Sequence, residues 1–126
     1  MKTTLDRSKL EQLLKSEEQL FHKTHPKSYE HYQRARKSLH GGVPMLWMIR
    51  WAGSFPVFVK EAKGAHFTDV DGNSYIDLCL GDTGAMTGHS PEATVKAITE
   101  QIQKGITLML PYEDVIWVGE ELQRRF

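Results

Sequence analysis

Residues Phe55–Leu78 read F-P-V-F-V-K-E-A-K-G-A-H-F-T-D-V-D-G-N-S-Y-I-D-L. Three short runs rich in Val, Phe, Ile and Tyr follow one another here, and such runs between turn residues predict strands. The strands are expected over Phe55–Lys60, Ala65–Val70 and Asn73–Leu80. Glu61–Gly64 supplies the first turn. Asp71-Gly72 supplies the second as a two-residue hairpin turn, which needs positive φ. In the third strand Ile76, Leu78 and Leu80 face one way and Tyr75, Asp77 and Cys79 the other. Cys79 is the single cysteine of the chain, expected as a small buried hydrophobe of that strand.

Upstream, Leu10, Leu13, Leu14, Leu20 and Phe21 recur at helical spacing and predict a helix over Leu5–Phe21. Pro26 interrupts it. A second helix is expected over Ser28–Leu39, ended by Gly41-Gly42 and Pro44. Met45–Trp51 is irregular and holds two tryptophans in five residues, which packing or a pocket wall must cover. Downstream, Gly81–Gly88 is a small-residue loop. Ser90 is expected to cap a helix with Pro91 as its first residue. Val95, Ile98 and Ile102 form its apolar stripe, and Lys104-Gly105 closes it. Ile106–Leu110 reads as extended. Glu113–Arg125 reads as a helix with Val115, Val118 and Leu122 on one face, and Phe126 follows with no glycine stop.

The 126 residues carry 16 basic and 16 acidic side chains. A neutral total gives no long-range attraction to nucleic acid or anionic lipid. One cysteine allows no internal disulfide and fits a reducing compartment. Met1–Arg7 is polar and unlike a signal peptide. No stretch has the roughly 18 apolar residues of a membrane span. A cytoplasmic protein is expected, with no nucleic-acid or membrane partner.

Asp69, Asp71 and Asn73 superficially resemble a calcium loop, but Gly72 comes too early and Leu80 stands where the twelfth-position Glu belongs. Six histidines form no H-E-x-x-H pair, so no metal site is expected. The G-D-T-G-A-M-T-G run, Gly81–Gly88, lacks the Gly-Lys-Ser/Thr ending of a Walker loop. A strand, a small-residue loop and a capped helix still form a place where backbone amides meet a ligand. A tight crossover is the plain alternative.

Several motifs in order resemble a family. The hairpin segment holds "D-x-D-G-x-x-Y-x-D" as Asp69, Asp71, Gly72, Tyr75 and Asp77. Gly88-His89 follows the loop, and Gly41-Gly42-Val43-Pro44 precedes the strands. This order resembles the class III pyridoxal-phosphate aminotransferases, in the branch of glutamate-1-semialdehyde aminomutase, over roughly residues 38–126. The resemblance implies an α+β piece of a fold-type I transferase: leading helices, a small antiparallel three-stranded sheet and further helices. It implies leading helices at 1–40, the first part of a small domain at 41–111, and the start of a link into a large cofactor-binding domain at 112–126.

The resemblance also implies amino-group transfer between an amino acid or amine and a 2-oxo acid or aldehyde, with pyridoxal 5'-phosphate as cofactor and a homodimer as the working form. The family's "S-G-T-E-A" phosphate turn, its pyridine-pairing Asp and its Schiff-base Lys have no counterpart in these residues. No catalytic or cofactor-binding residue is therefore expected here, and the piece alone is expected to be inactive. By the resemblance, the substrate side of the site falls at Trp47–Trp51 and Asp82–Ala85, giving Trp47, Arg50, Thr83 and Gly84 as substrate-binding candidates. Arg50 has a fork suited to a carboxylate. Ile106–Asp114 is expected near a neighbouring subunit's site. A reading of another class is a non-catalytic interaction or dimerisation module.

Overall fold

The computed structural model describes residues 5–50 and 53–126. Trp51, part of the expected pocket segment, lies outside them. The chain divides into two compact units, one ending at Ser90 and one from Pro91 to Phe126.

The first unit opens with α1, Arg7–Thr24, and α2, Pro26–Ala35. The Asp6 carboxylate starts α1 by accepting from the Lys9 N–H at 3.1 Å. The helix runs three residues beyond the expected Phe21, because Pro26 forbids its continuation only from the next turn on. Pro26 begins α2, where a missing N–H costs nothing. Two single-turn 3₁₀ segments, His40–Gly42 and Leu46–Arg50, lead to the sheet. Gly42 has φ 73° and lies against the Tyr32 ring; a Cβ there would stand 2.7 Å from it.

The sheet is antiparallel in the order β1-β2-β3, with β1 at Val59–Lys63, β2 at His66–Asp69 and β3 at Ser74–Ile76. The turns differ from expectation. Lys63 pairs with His66, so the two-residue turn is Gly64-Ala65, and β1 takes in residues 61–63 of the expected turn Glu61–Gly64. An irregularity in β1 between Val59 and Glu61 sets two residues against one step of β2, as a bulge does. The second hairpin is longer than Asp71-Gly72 alone. The Asp69 N–H donates to the Asn73 carbonyl at 3.0 Å, leaving Val70, Asp71 and Gly72 in the loop. Its cause is the Asp69 carboxylate, which accepts from the Asp71 and Asn73 amides at 2.9 and 2.8 Å and winds the loop around itself.

The third strand ends at Ile76, so Leu78, Cys79 and Leu80 belong to the following loop. Cys79 is exposed rather than buried. Asp77 causes this: its side chain takes the amides of Cys79 and Leu80, both at 2.9 Å, and turns the chain out of the sheet.

Among the described residues, Val43 and Phe55 are the buried large hydrophobics. Phe55 sits among rings, with centroids 4.7 Å from Phe21, 5.0 Å from His22 and 5.2 Å from Tyr29. Phe67 and Tyr75 stack across β2 and β3 at 4.8 Å.

The second unit holds α3, Glu92–Ile102, and α4, Asp114–Arg125, neither with a buried residue. Pro91 precedes α3 with no side-chain cap. The expected cap, Ser90, lies in the left-handed region at φ 50° and donates its hydroxyl to the Ala62 carbonyl at 3.1 Å instead. Gly105, at φ 101°, turns the chain after α3. Residues 106–110 form no strand. No described helix is long and apolar enough to cross a membrane.

Candidate functional site

The loop between Asp77 and His89 is built from its two ends inward. The Asp77 N–H donates to the Ala65 carbonyl at 2.8 Å, holding Asp77 on the hairpin one residue past β3. His89 exchanges both backbone hydrogen bonds with Gly64, at 2.8 and 2.9 Å. The two ends therefore meet beside the β1–β2 turn. There the His89 Nε2 lies 2.5 Å from Asp77 Oδ2, with both side chains mostly shielded from solvent. The other carboxylate oxygen takes the Cys79 and Leu80 amides. The bond from His89, foremost, holds the Asp77 carboxyl below its ordinary value; the two amides assist against partial desolvation.

Between those ends the backbone turns left-handed for four residues: Leu80, Gly81, Asp82 and Thr83 have φ of 54, 57, 54 and 76°. For a residue with a Cβ this conformation costs about 1–2 kcal/mol. Three of the four carry one, so the strain needs a holder. Local backbone bonds supply part of it, from Asp82 N–H to the Cys79 carbonyl at 3.1 Å and from Ala85 N–H to the Leu80 carbonyl at 2.8 Å. Strain of this kind gathers where a ligand is met.

Thr83 and Gly84 lie at the end of this run and are exposed. Trp47 and Arg50 are exposed on the 3₁₀ segment Leu46–Arg50, and among the described residues Arg50 makes no ion pair. Each pair of candidates shares a segment, but no hydrogen bond or ion pair joins the two segments among the described residues.

A second polar cluster fixes the hairpin to the helices. Asp69 has no exposed surface. Beyond the two loop amides, its carboxylate accepts from Asn73 Nδ2 and the Tyr75 hydroxyl, both at 2.9 Å. Burial pushes this carboxyl up, but the four hydrogen bonds outweigh it and leave it below its ordinary value. Burial, then the bond and charge of Asp69, push the Tyr75 hydroxyl up to about 12. The same hydroxyl meets His25 Nε2 at 2.6 Å, while His25 Nδ1 lies 2.9 Å from the Phe21 carbonyl. Asp71 accepts from the Lys27 and Ser28 amides at 2.6 and 2.9 Å and so caps α2. The motif "D-x-D-G-x-x-Y-x-D" is thus a set of tie points.

The sequence gives Asp71 and Gly72 a role in the hairpin turn but assigns none to the side chains of Asp69, Tyr75, Asp77 or His89. The Gly64–His89 pairing that brings His89 to Asp77 leaves no periodic signal. The only pointer was a histidine directly after the closing glycine of the loop.

Residues 47–126 match the family model described as aminotransferase class-III. The glutamate-1-semialdehyde 2,1-aminomutase of Methanocaldococcus jannaschii is 38% identical over 99 residues, which are 79% of this chain and 23% of that protein. A glutamate-1-semialdehyde-aminomutase from Pseudomonas aeruginosa PAO1, solved as a variant in complex with PMP, matches with a TM-score of 0.89 and 48% identity, over 98% of this chain and 27% of that one. A β-phenylalanine aminotransferase from Variovorax paradoxus matches with a TM-score of 0.73 and 25% identity, over 82% of this chain and 24% of that one. The chain spans about a quarter of the length of these relatives.

Proposed function

Because the chain belongs to the class III aminotransferase family, we propose that it is the N-terminal, substrate-facing portion of an enzyme that moves an amino group between an amino acid or amine and a 2-oxo acid or aldehyde. The observation that carries this reading is the match along 98% of the chain, at 48% identity, to an aminomutase solved with PMP. Pyridoxal 5'-phosphate is the cofactor of the whole enzyme, whose working form is a homodimer.

The "S-G-T-E-A" turn expected for that cofactor's phosphate is not among these residues. The cofactor and the chemical step are assigned to other parts of the protein. These residues contribute binding and orientation. Thr83 and Gly84 offer a hydroxyl and backbone amides at the crest of a strained loop. Arg50 offers a planar fork for a substrate carboxylate, and Trp47 a wall beside it.

The test replaces the aligned quarter of the Pseudomonas aeruginosa aminomutase with this chain and measures amino transfer with the cofactor supplied. The graft is expected to be active. Arg50→Lys is expected to weaken carboxylate substrates by about 1–3 kcal/mol, the scale of a charge-assisted contact, and amines lacking a carboxylate much less. A folded graft without activity would overturn the proposal. Equal losses for both substrate types would remove Arg50 from the pocket.

A further inference from the structure

We infer that Asp77 and His89 are positioning residues: their side-chain bridge sets the conformation of the 78–88 loop and so places Thr83 and Gly84 toward substrate. This rests on the proposed reading of that loop as part of the substrate pocket.

The backbone already ties both loop ends to the sheet, through Asp77 N–H to Ala65 and through the Gly64–His89 pair. The side-chain bridge is not needed for that. What it adds acts inside the loop. Among the described residues, no side chain of 78–88 makes a hydrogen bond. The left-handed run is therefore held by its own backbone bonds and by one external group, the Asp77 carboxylate. That group takes the amides of Cys79 and Leu80 at the point where the run begins, since Leu80 is its first left-handed residue.

A carboxylate can rotate about its terminal torsion, which is broad. His89 removes this freedom by fixing the other oxygen at 2.5 Å. His89 is itself fixed through its backbone, so the chain of constraint runs from the sheet through His89 and Asp77 to Leu80 and then to Thr83. Neither side chain needs to touch substrate for this.

The test uses His89→Ala, His89→Phe, which fills the space without a donor, and His89→Gln, whose amide can donate to Asp77. Hydrogen exchange is followed amide by amide in the 126-residue chain, and KM and kcat are measured in the graft described above. With the bridge gone, amides of Leu80–Ala85 are expected to exchange about tenfold faster while β1–β3 keep their protection, as for a local opening. KM is expected to rise about tenfold with kcat within about threefold, the pattern of lost uniform binding. His89→Gln is expected to restore both. Unchanged loop exchange overturns the inference. So does exchange that rises equally across the sheet, which makes the bridge a general structural tie. A freed loop with unchanged KM also overturns it when Thr83→Val raises KM. If neither Thr83→Val nor the His89 variants move KM, the pocket reading of the loop is what has failed.

Discussion

In the unit that ends at Ser90, Asp69 sits without exposed surface among four donors. In the unit from Pro91 to Phe126, neither helix buries a residue, and Val95, Ile98, Ile102, Val115, Val118 and Leu122 each keep 46–56% of their surface exposed. The first unit has its order specified from inside, by directional bonds that only one arrangement satisfies. The second has apolar stripes that specify helices and leave their covering to something else. α1 shares this second character, since Leu10, Leu13, Leu14 and Leu20 are about half exposed. Order in this chain follows polar satisfaction more closely than apolar content.

The sharpest way to break the contrast is Asp69→Ala. It strands the Asp71 and Asn73 amides and takes one of two partners from the Asn73 side chain and from the Tyr75 hydroxyl, and each buried donor left unpaired costs about 1–3 kcal/mol. A loss of roughly 3 kcal/mol or more is expected by denaturant unfolding followed at residues of the hairpin, with helicity of α3 and α4 unchanged. Acid should do the same without mutation. The folded carboxyl of Asp69 lies below its ordinary value, so its contribution is fully present above about pH 4 and is lost as pH falls through the folded value. The opposite sign holds for Tyr75, raised to about 12: its contribution is lost between about pH 10 and 12. Equal acid sensitivity in both units would break the comparison.

A smaller effect is expected at Gly42. Ala there would bring a Cβ 2.7 Å from the Tyr32 ring at φ 73°. Crowding and left-handed strain together should cost about 2–4 kcal/mol if Tyr32 cannot move and nearer 1–2 if it can, read as a shift in the unfolding midpoint. The smallest effect belongs to the second unit. Leu122→Ser removes an exposed side chain and should change stability by less than about 0.5 kcal/mol while reducing self-association in sedimentation, because contiguous apolar surface promotes it. A large loss of stability from this change would show that α4 is covered within the chain after all.

The sequence made some of this legible and hid the rest for physical reasons. Helix positions followed from apolar periodicity, which α1, α3 and α4 carry strongly. Sheet order followed from Gly64 and Asp71-Gly72 standing between β-rich runs. Turn lengths did not follow, because Asp69 binds its own loop and the bulge near Lys60 shifts the register, and neither has a compositional mark. In the candidate site, the small-residue loop was visible from its glycines. The left-handed geometry at Leu80 and Thr83 was not, since those residue types do not advertise positive φ as glycine, asparagine and aspartate do. His25 and His89 looked like scattered histidines because their partners lie 50 and 12 positions away.

The cap on α2 has a consequence for the order of folding events. Asp6 caps α1 from three residues away, so that helix can nucleate as soon as its own segment is free. The first amides of α2, on Lys27 and Ser28, are satisfied by Asp71, 44 and 43 positions downstream. Until the β2–β3 hairpin docks on α2, the first amides of that helix lack this partner, and closing so large a loop is slow compared with helix growth. The first turn of α2 therefore matures late, only once the hairpin has brought Asp71 to it.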